Sequence, residues 1–149
     1  MTTMRSVRVL VSVVAISAGA ATSGLMGAAT ANAAKVQPVL KVTPAAGLTN
    51  GKTVTVSGTG FKAHDSVYIV ECLAKAKGGG QCNVAGAIPA TINAKGILPP
   101  TKFKVVAGKI ATGKCGTTTA NLKSCALSAG NATGGDSASA LIVFKAAKK

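Results

Sequence analysis

The sequence predicts an all-β domain of the sandwich or barrel type, stapled by disulfides. Three observations carry that expectation. From Val36 onwards the chain is a succession of short runs rich in Val, Ile and Thr. Gly, Pro, Asn and Asp break those runs at close intervals, and no window places apolar residues at helical spacing. Four cysteines, an even number, all lie in this same part of the chain. Short alternating strands separated by turns bury a core by stacking sheets, whereas helices need an apolar stripe recurring every three to four residues.

The N-terminus reads as a targeting segment and stays outside the fold. Arg5 and Arg8 form a short positive region, and Val9 to Ala21 is apolar and small. Ala31-Asn32-Ala33 then offers the small residues that a signal peptidase reads, so cleavage before Ala34 is expected. An uncleaved anchor is the alternative, but the Ala, Gly, Ser and Thr content of the stretch makes a poor membrane span. No cysteine lies near the site for lipid attachment, and no Arg-Arg pair suggests the twin-arginine route. The expected organisation is a signal peptide over residues 1–33 and one exported domain over 34–149, a secreted or envelope-associated monomer. Those 116 residues suffice for one domain and bury roughly two-thirds of the unfolded surface.

Within the domain, Leu40 and Val42 alternate with Lys41, the period-two pattern of a strand with one face inward. Asn50-Gly51 is the strongest hairpin signal, since both residues tolerate the positive φ of a type I′ turn. Val54 and Val56 then alternate with Thr53, Thr55 and Ser57, and Gly58 to Gly60 turns the chain. Ser66 to Cys72 reads as a largely buried strand. Phe103 and Val105 alternate with Lys102 and Lys104, a strand that turns a lysine face to water. Ala138 to Phe144 closes the domain with an apolar run, and residues 145–149 form a basic tail.

The four cysteines, Cys72, Cys82, Cys115 and Cys125, allow three pairings. Two local bridges, Cys72–Cys82 and Cys115–Cys125, are favoured: each closes a short loop of equal length, and Gly78-Gly79-Gly80 lets the first loop fold back. Each such bridge contributes roughly 2.5–3 kcal/mol by the chain-entropy argument. An exported chain with one histidine, His64, and no Cys-x-x-Cys lacks the ligand spacing of a metal site.

Charge narrows the partners. Removing Arg5 and Arg8 lowers the net charge from +14 to +12, and every remaining basic residue is lysine. Such a surface attracts DNA or anionic cell-wall polymers through phosphate or carboxylate charge. It does not read bases, a task that favours arginine forks and stacking aromatics. Catalysis is not expected either. The acids of the domain are Asp65, Glu71 and Asp136, too few for a paired-carboxylate site, a triad or a metal hydrolase. His64-Asp65 reads as a solvated turn, and Glu71 as a strand residue that either marks the floor of a cleft or, the favoured reading, pairs with a lysine. Asn131-Ala132-Thr133 has the form of a glycosylation sequon and is discounted.

Several segments line up with a known family: Val42-Thr43-Pro44-Ala45-Ala46-Gly47-Leu48-Thr49-Asn50-Gly51, Gly58-Thr59-Gly60-Phe61, and Cys72…Cys82-Asn83. Asn93-Ala94-Lys95-Gly96 and Cys115…Cys125 followed by Ala129-Gly130-Asn131 continue the series in order. Together they resemble the neocarzinostatin family, the apoproteins of actinobacterial enediyne antitumour antibiotics. The resemblance implies a seven-stranded immunoglobulin-like antiparallel β-sandwich with two local disulfides. It also implies a non-catalytic carrier whose cleft holds a non-covalent apolar chromophore, the antibacterial, DNA-directed chemistry belonging to that ligand. No other cofactor is expected.

On that resemblance the cleft-lining candidates are Tyr68, Val70, Ala74, Gly80, Ala87, Ala126 and Ser128. Ala74, Gly80 and Ala87 stand where the family places large apolar or aromatic walls. The segment from Gly96 to Cys115 is also short, so most of the hairpin before the second disulfide is expected to be missing. A cleft without aromatic walls grips a flat polycyclic ligand weakly. The alternative function is a secreted basic module that adheres to anionic envelope polymers or nucleic acid.

Overall fold

The computed structural model describes residues 36–75 and 81–146. The expected signal peptide, the Gly78-Gly79-Gly80 tip and the end of the basic tail lie outside these residues.

Among the described residues nine strands follow one another: β1 (Val39–Thr43), β2 (Thr53–Thr59), β3 (Ser66–Leu73), β4 (Ile88–Thr91), β5 (Leu98–Lys104), β6 (Gly108–Ile110), β7 (Gly113–Cys115), β8 (Cys125–Gly130) and β9 (Ser137–Ile142). One sheet has the order β1-β2-β5 and the other β4-β3-β8-β9, all pairs antiparallel. These seven strands make the sandwich, and β6 pairs with β7 as a separate two-stranded hairpin. The hairpin expected to be mostly missing is therefore present in minimal form, three residues to a strand. It packs so closely that a Cβ on Gly113 would come 2.7 Å from a Leu73 methyl.

Alternation decides which residues meet between the sheets. Leu40, Val42, Val54, Val56 and Phe103 face inward from one sheet. Val67, Ile69, Leu127, Ala129 and Ile142 meet them from the other. Burying a large aliphatic or aromatic side chain contributes about 1.5–3 kcal/mol, so this layer dominates the favourable side of folding. Lys102 and Lys104 alternate with buried Phe103 as expected, and both are exposed. The consecutive prolines Pro99 and Pro100 are accommodated because β5 is an edge strand and both fall in the register break between the Val56–Thr101 and Gly58–Leu98 pairs.

Two local expectations are corrected. Asn50-Gly51 does not close a two-residue hairpin: residues 44–52 separate β1 from β2, and only Gly51 of the pair takes positive φ, 75°. The reason lies in Leu48. The loop dips inward to bury it completely, its N–H donating to the Val143 carbonyl at 3.1 Å, before Gly51 turns the chain back. Ser66–Leu73 is also not buried throughout, because its outward residues, Ser66 and Tyr68 among them, are exposed.

Candidate ligand-binding cleft

The register of the four-stranded sheet builds a floor. Residues directly opposite one another share a face, so Pro89, Tyr68, Gly130 and Ser137 form one row across β4, β3, β8 and β9. Val70, Ser128 and Ser139 form the next. The Ser128 and Ser139 hydroxyls lie 2.7 Å apart and hydrogen-bond across the strands. Over this floor lies an open cleft of about 860 Å³.

One wall comes from the first disulfide. Cys72 and Cys82 are bonded, as Cys115 and Cys125 are, so both bridges are local. The Cys72–Cys82 bridge pins the following segment beside β3, aided by the Asn83 N–H, which donates to the Glu71 carbonyl at 2.7 Å. A single 3-10 turn, Val84–Gly86, then carries Val84 and Ala87 to the rim. Val84 is 73% exposed and Tyr68 is 51% exposed, large apolar surface that no part of the described chain covers.

The end wall is the β8–β9 loop, with Asn131, Ala132 and Gly134 on the cleft. Its shape is held by side chains rather than by a core. Asn131 accepts from the Thr133 hydroxyl at 3.0 Å and from the Gly135 N–H at 3.1 Å through its side-chain oxygen. Its amide donates to Asp65 Oδ2 at 2.7 Å. Asp136 accepts from the Lys62 N–H at 2.7 Å, clamping the loop to the β2–β3 connection. Asp65 and Asp136 thus serve as fasteners of a loop. His64 is exposed beside Asp65, in a turn with φ of 61°.

Of the residues named from the sequence, Tyr68, Val70, Ala87 and Ser128 come together in this cleft. Ala126 shares the floor's face in the row below, between Cys72 and Leu141, but lies off the cleft lining. Ala74 lies beyond the end of β3, where its N–H donates to the Ser124 carbonyl at 2.8 Å, away from the lining. Gly80 lies outside the described residues. Val84, Asn131, Ser137 and Ser139 escaped the sequence reading. The Ser137-Ala138-Ser139-Ala140 alternation was a usable signal for the last two, whereas nothing local marks Val84.

Glu71 overturns the expected surface ion pair. It points between the sheets, fully buried, with Oε2 accepting from the Val106 N–H at 2.8 Å and Oε1 without a partner among the described residues. Burial raises its pKa from 4.5 to about 7, against the lowering influence of the Val106 hydrogen bond. Its carboxylate lies within 4.8 Å of the Cys115 and Cys125 sulfurs. Those sulfurs are bonded to each other, so the trio is not a set of free thiolate and carboxylate ligands.

The architecture defines a class: a small disulfide-stapled β-sandwich with an open, largely apolar cleft on the outer face of one sheet. The neocarzinostatin family profile matches residues 40–144, and the chain belongs to that family. It is 35% identical over 114 residues to the antitumor antibiotic C-1027 apoprotein of Streptomyces globisporus, covering 71% of this chain and 76% of that protein. It is 31% identical over 109 residues to macromomycin of Streptomyces macromomyceticus, covering 70% and 75%. A match to apokedarcidin from an actinomycete reaches 48% identity but spans only 46 residues, 31% of this chain and 40% of that protein. The solved structure of macromomycin superposes with a TM-score of 0.58 at 29% identity, over 72% of this chain and 99% of that one. Among the described residues, no helix is long and apolar enough to cross a membrane.

Proposed function

We propose that this protein is a secreted, non-catalytic carrier that holds a small apolar molecule in the cleft above β3, β8 and β9. On this reading residues 1–33 direct export and are removed in the process. The observation that carries the reading is the cleft itself. A concavity of about 860 Å³ lies within the usual size range of ligand sites, roughly 300–1,000 Å³. Exposed Tyr68 of the floor and Val84 of the wall face a described lining whose other polar side chains are serine hydroxyls and the Asn131 amide. Apolar side chains held in water at the rim of a pre-formed hollow gain free energy when an apolar ligand covers them. Family membership supports the same reading, since one relative is by name the apoprotein of an antitumour antibiotic.

The cleft favours a compact ligand over a flat polycyclic one. Tyr68 is the single aromatic among its described lining residues, with Ala87 and Gly130 where a larger side chain would narrow it. Each absent ring pair forfeits about 0.5–1.5 kcal/mol, so a polycyclic aromatic chromophore of the kind the resemblance implies is expected to bind weakly. Titration with the compact neutral probe N-phenyl-1-naphthylamine, followed by fluorescence, tests the site. Ser128→Trp fills the floor and is expected to weaken binding at least tenfold, about 1.4 kcal/mol. Dye binding that ignores Ser128→Trp would place the ligand elsewhere, and sub-micromolar binding of a stable chromophore analogue would overturn the preference for compact ligands.

A further inference from the structure

The two outer faces of the sandwich carry different chemistry. No lysine occurs in β3, β4, β8 or β9, the strands beneath the cleft. No acid occurs in β1, β2 or β5, the strands of the opposite sheet. There most outward positions are lysines and hydroxyls in register, with exposed Val39 and Pro100 towards one end. Lys104 lies opposite Thr53, Lys102 opposite Thr55, and Lys41 opposite Ser57. The Lys102 ammonium is laid along the sheet by donating to Thr55 Oγ1 at 2.9 Å. The acids that could neutralise this face are held elsewhere: Glu71 in the interior, Asp65 and Asp136 in the clamp of the β8–β9 loop.

We propose that the outer face of the three-stranded sheet docks a flexible polyphosphodiester chain of the cell-envelope kind. Lys41, Lys102 and Lys104 meet its phosphates, and Thr53, Thr55 and Ser57 meet its polyol or sugar hydroxyls. Charge complementarity selects an anionic polymer. Shape selects a flexible one. Lys102 and Lys104 are two residues apart on one strand, about 7 Å, and Lys41 is two strands away, so the cations lie on a broad plane that a pliable chain can follow. A DNA duplex is stiff over about 150 base pairs and is gripped by elements that enter its grooves, which this face does not present. The face also lacks arginine and aromatic side chains, the groups that stack on or read bases. Docking by this face leaves the cleft on the opposite side open, so the carrier is held in the envelope with its ligand site exposed.

Retention of the mature chain on immobilised poly(glycerol phosphate) across a salt series tests this. The variant K41Q/K102Q/K104Q is expected to bind at least tenfold more weakly, with a salt slope shallower by about two. The control K62Q/K95Q/K123Q removes the same charge from exposed lysines outside this face and is expected to change affinity less than threefold. Amide shift mapping of the unmutated chain should place the perturbations on β1, β2 and β5, and does not depend on any variant folding. Equal weakening by the two triples, perturbations centred on β3 and β8, tighter retention on duplex DNA, or no retention at low salt would each overturn the proposal.

Discussion

The two disulfide loops have the same sequence separation, 10, and opposite fates in the fold. Cys115 and Cys125 are both completely buried, in the core with Ile110 and Leu127 and beside the Glu71 carboxyl. Cys82 is only half-buried, and its bridge to Cys72 forms part of the cleft wall. Between Cys115 and Cys125, the chain makes a 3-10 turn at Thr119–Asn121, and Asn121 Oδ1 accepts from the Thr117 and Thr118 N–H groups. That loop satisfies itself and closes over the core, with Phe144 donating its N–H to the Leu122 carbonyl. The lesson is that one covalent device serves two purposes. Packing around the second bridge makes it structural, and exposure beside the first makes it part of a site.

The comparison predicts unequal effects of removal. Cys115→Ala with Cys125→Ala is expected to cost about 4–5 kcal/mol of folding free energy, because loss of the bridge adds to a cavity in a closed core. Cys72→Ala with Cys82→Ala is expected to cost less, about 2–4 kcal/mol, yet to abolish N-phenyl-1-naphthylamine binding by freeing the wall that carries Val84 and Ala87. Urea denaturation with a parallel dye titration checks both. Equal losses of stability, or dye binding retained without the first bridge, would break the distinction drawn between them.

Glu71 sharpens it further, because that residue joins the two regions: its backbone carbonyl holds Asn83, just after the first bridge, and its side chain sits against the second. Its pKa is raised by burial from 4.5 to about 7, so the folded state holds the proton more tightly than the unfolded one. The stabilisation is therefore fully present below pH 4.5 and is lost as pH rises through 7. The expected decline is roughly 2–3 kcal/mol, smaller than the loss of the buried bridge. Denaturation midpoints measured from pH 4 to pH 8 should show it, and Glu71→Gln should flatten the profile. A flat profile in the unmutated chain would mean that Oε1 finds a partner, water included, that satisfies its charged form.

Much of this was legible in the residues. Period-two alternation put Val54, Val56 and Phe103 inside and Lys102 and Lys104 outside, because a pleated strand offers its side chains to two faces in turn. The even cysteine count and short equal spacings pointed to the local bridges. The resemblance put Tyr68, Val70, Ala87 and Ser128 forward together, and they share the cleft. Glu71 was misread, since a lone acid before a disulfide cysteine in a lysine-rich chain looks like a surface pair. Alternation from Val67 and Ile69 carries it inward, but alternation alone gives no reason to bury a charge.

The sequence by itself determined the class of fold and the sign of the surface charge and favoured the local bridges, because these depend on local period, on counting and on short loop closure. Tertiary structure alone decided where that charge lies, which of two equivalent loops became a wall, and which alternating face was left open. Those are matters of register and of what packs against what. The inward side chains of β3 and β8 are covered by the opposing sheet, while Tyr68, Val70 and Ser128 on their other side meet only a disulfide loop and a hydrogen-bonded turn. A sheet has two faces and the sandwich closes one of them. The cleft is what the second face becomes when its neighbours stop short of covering it.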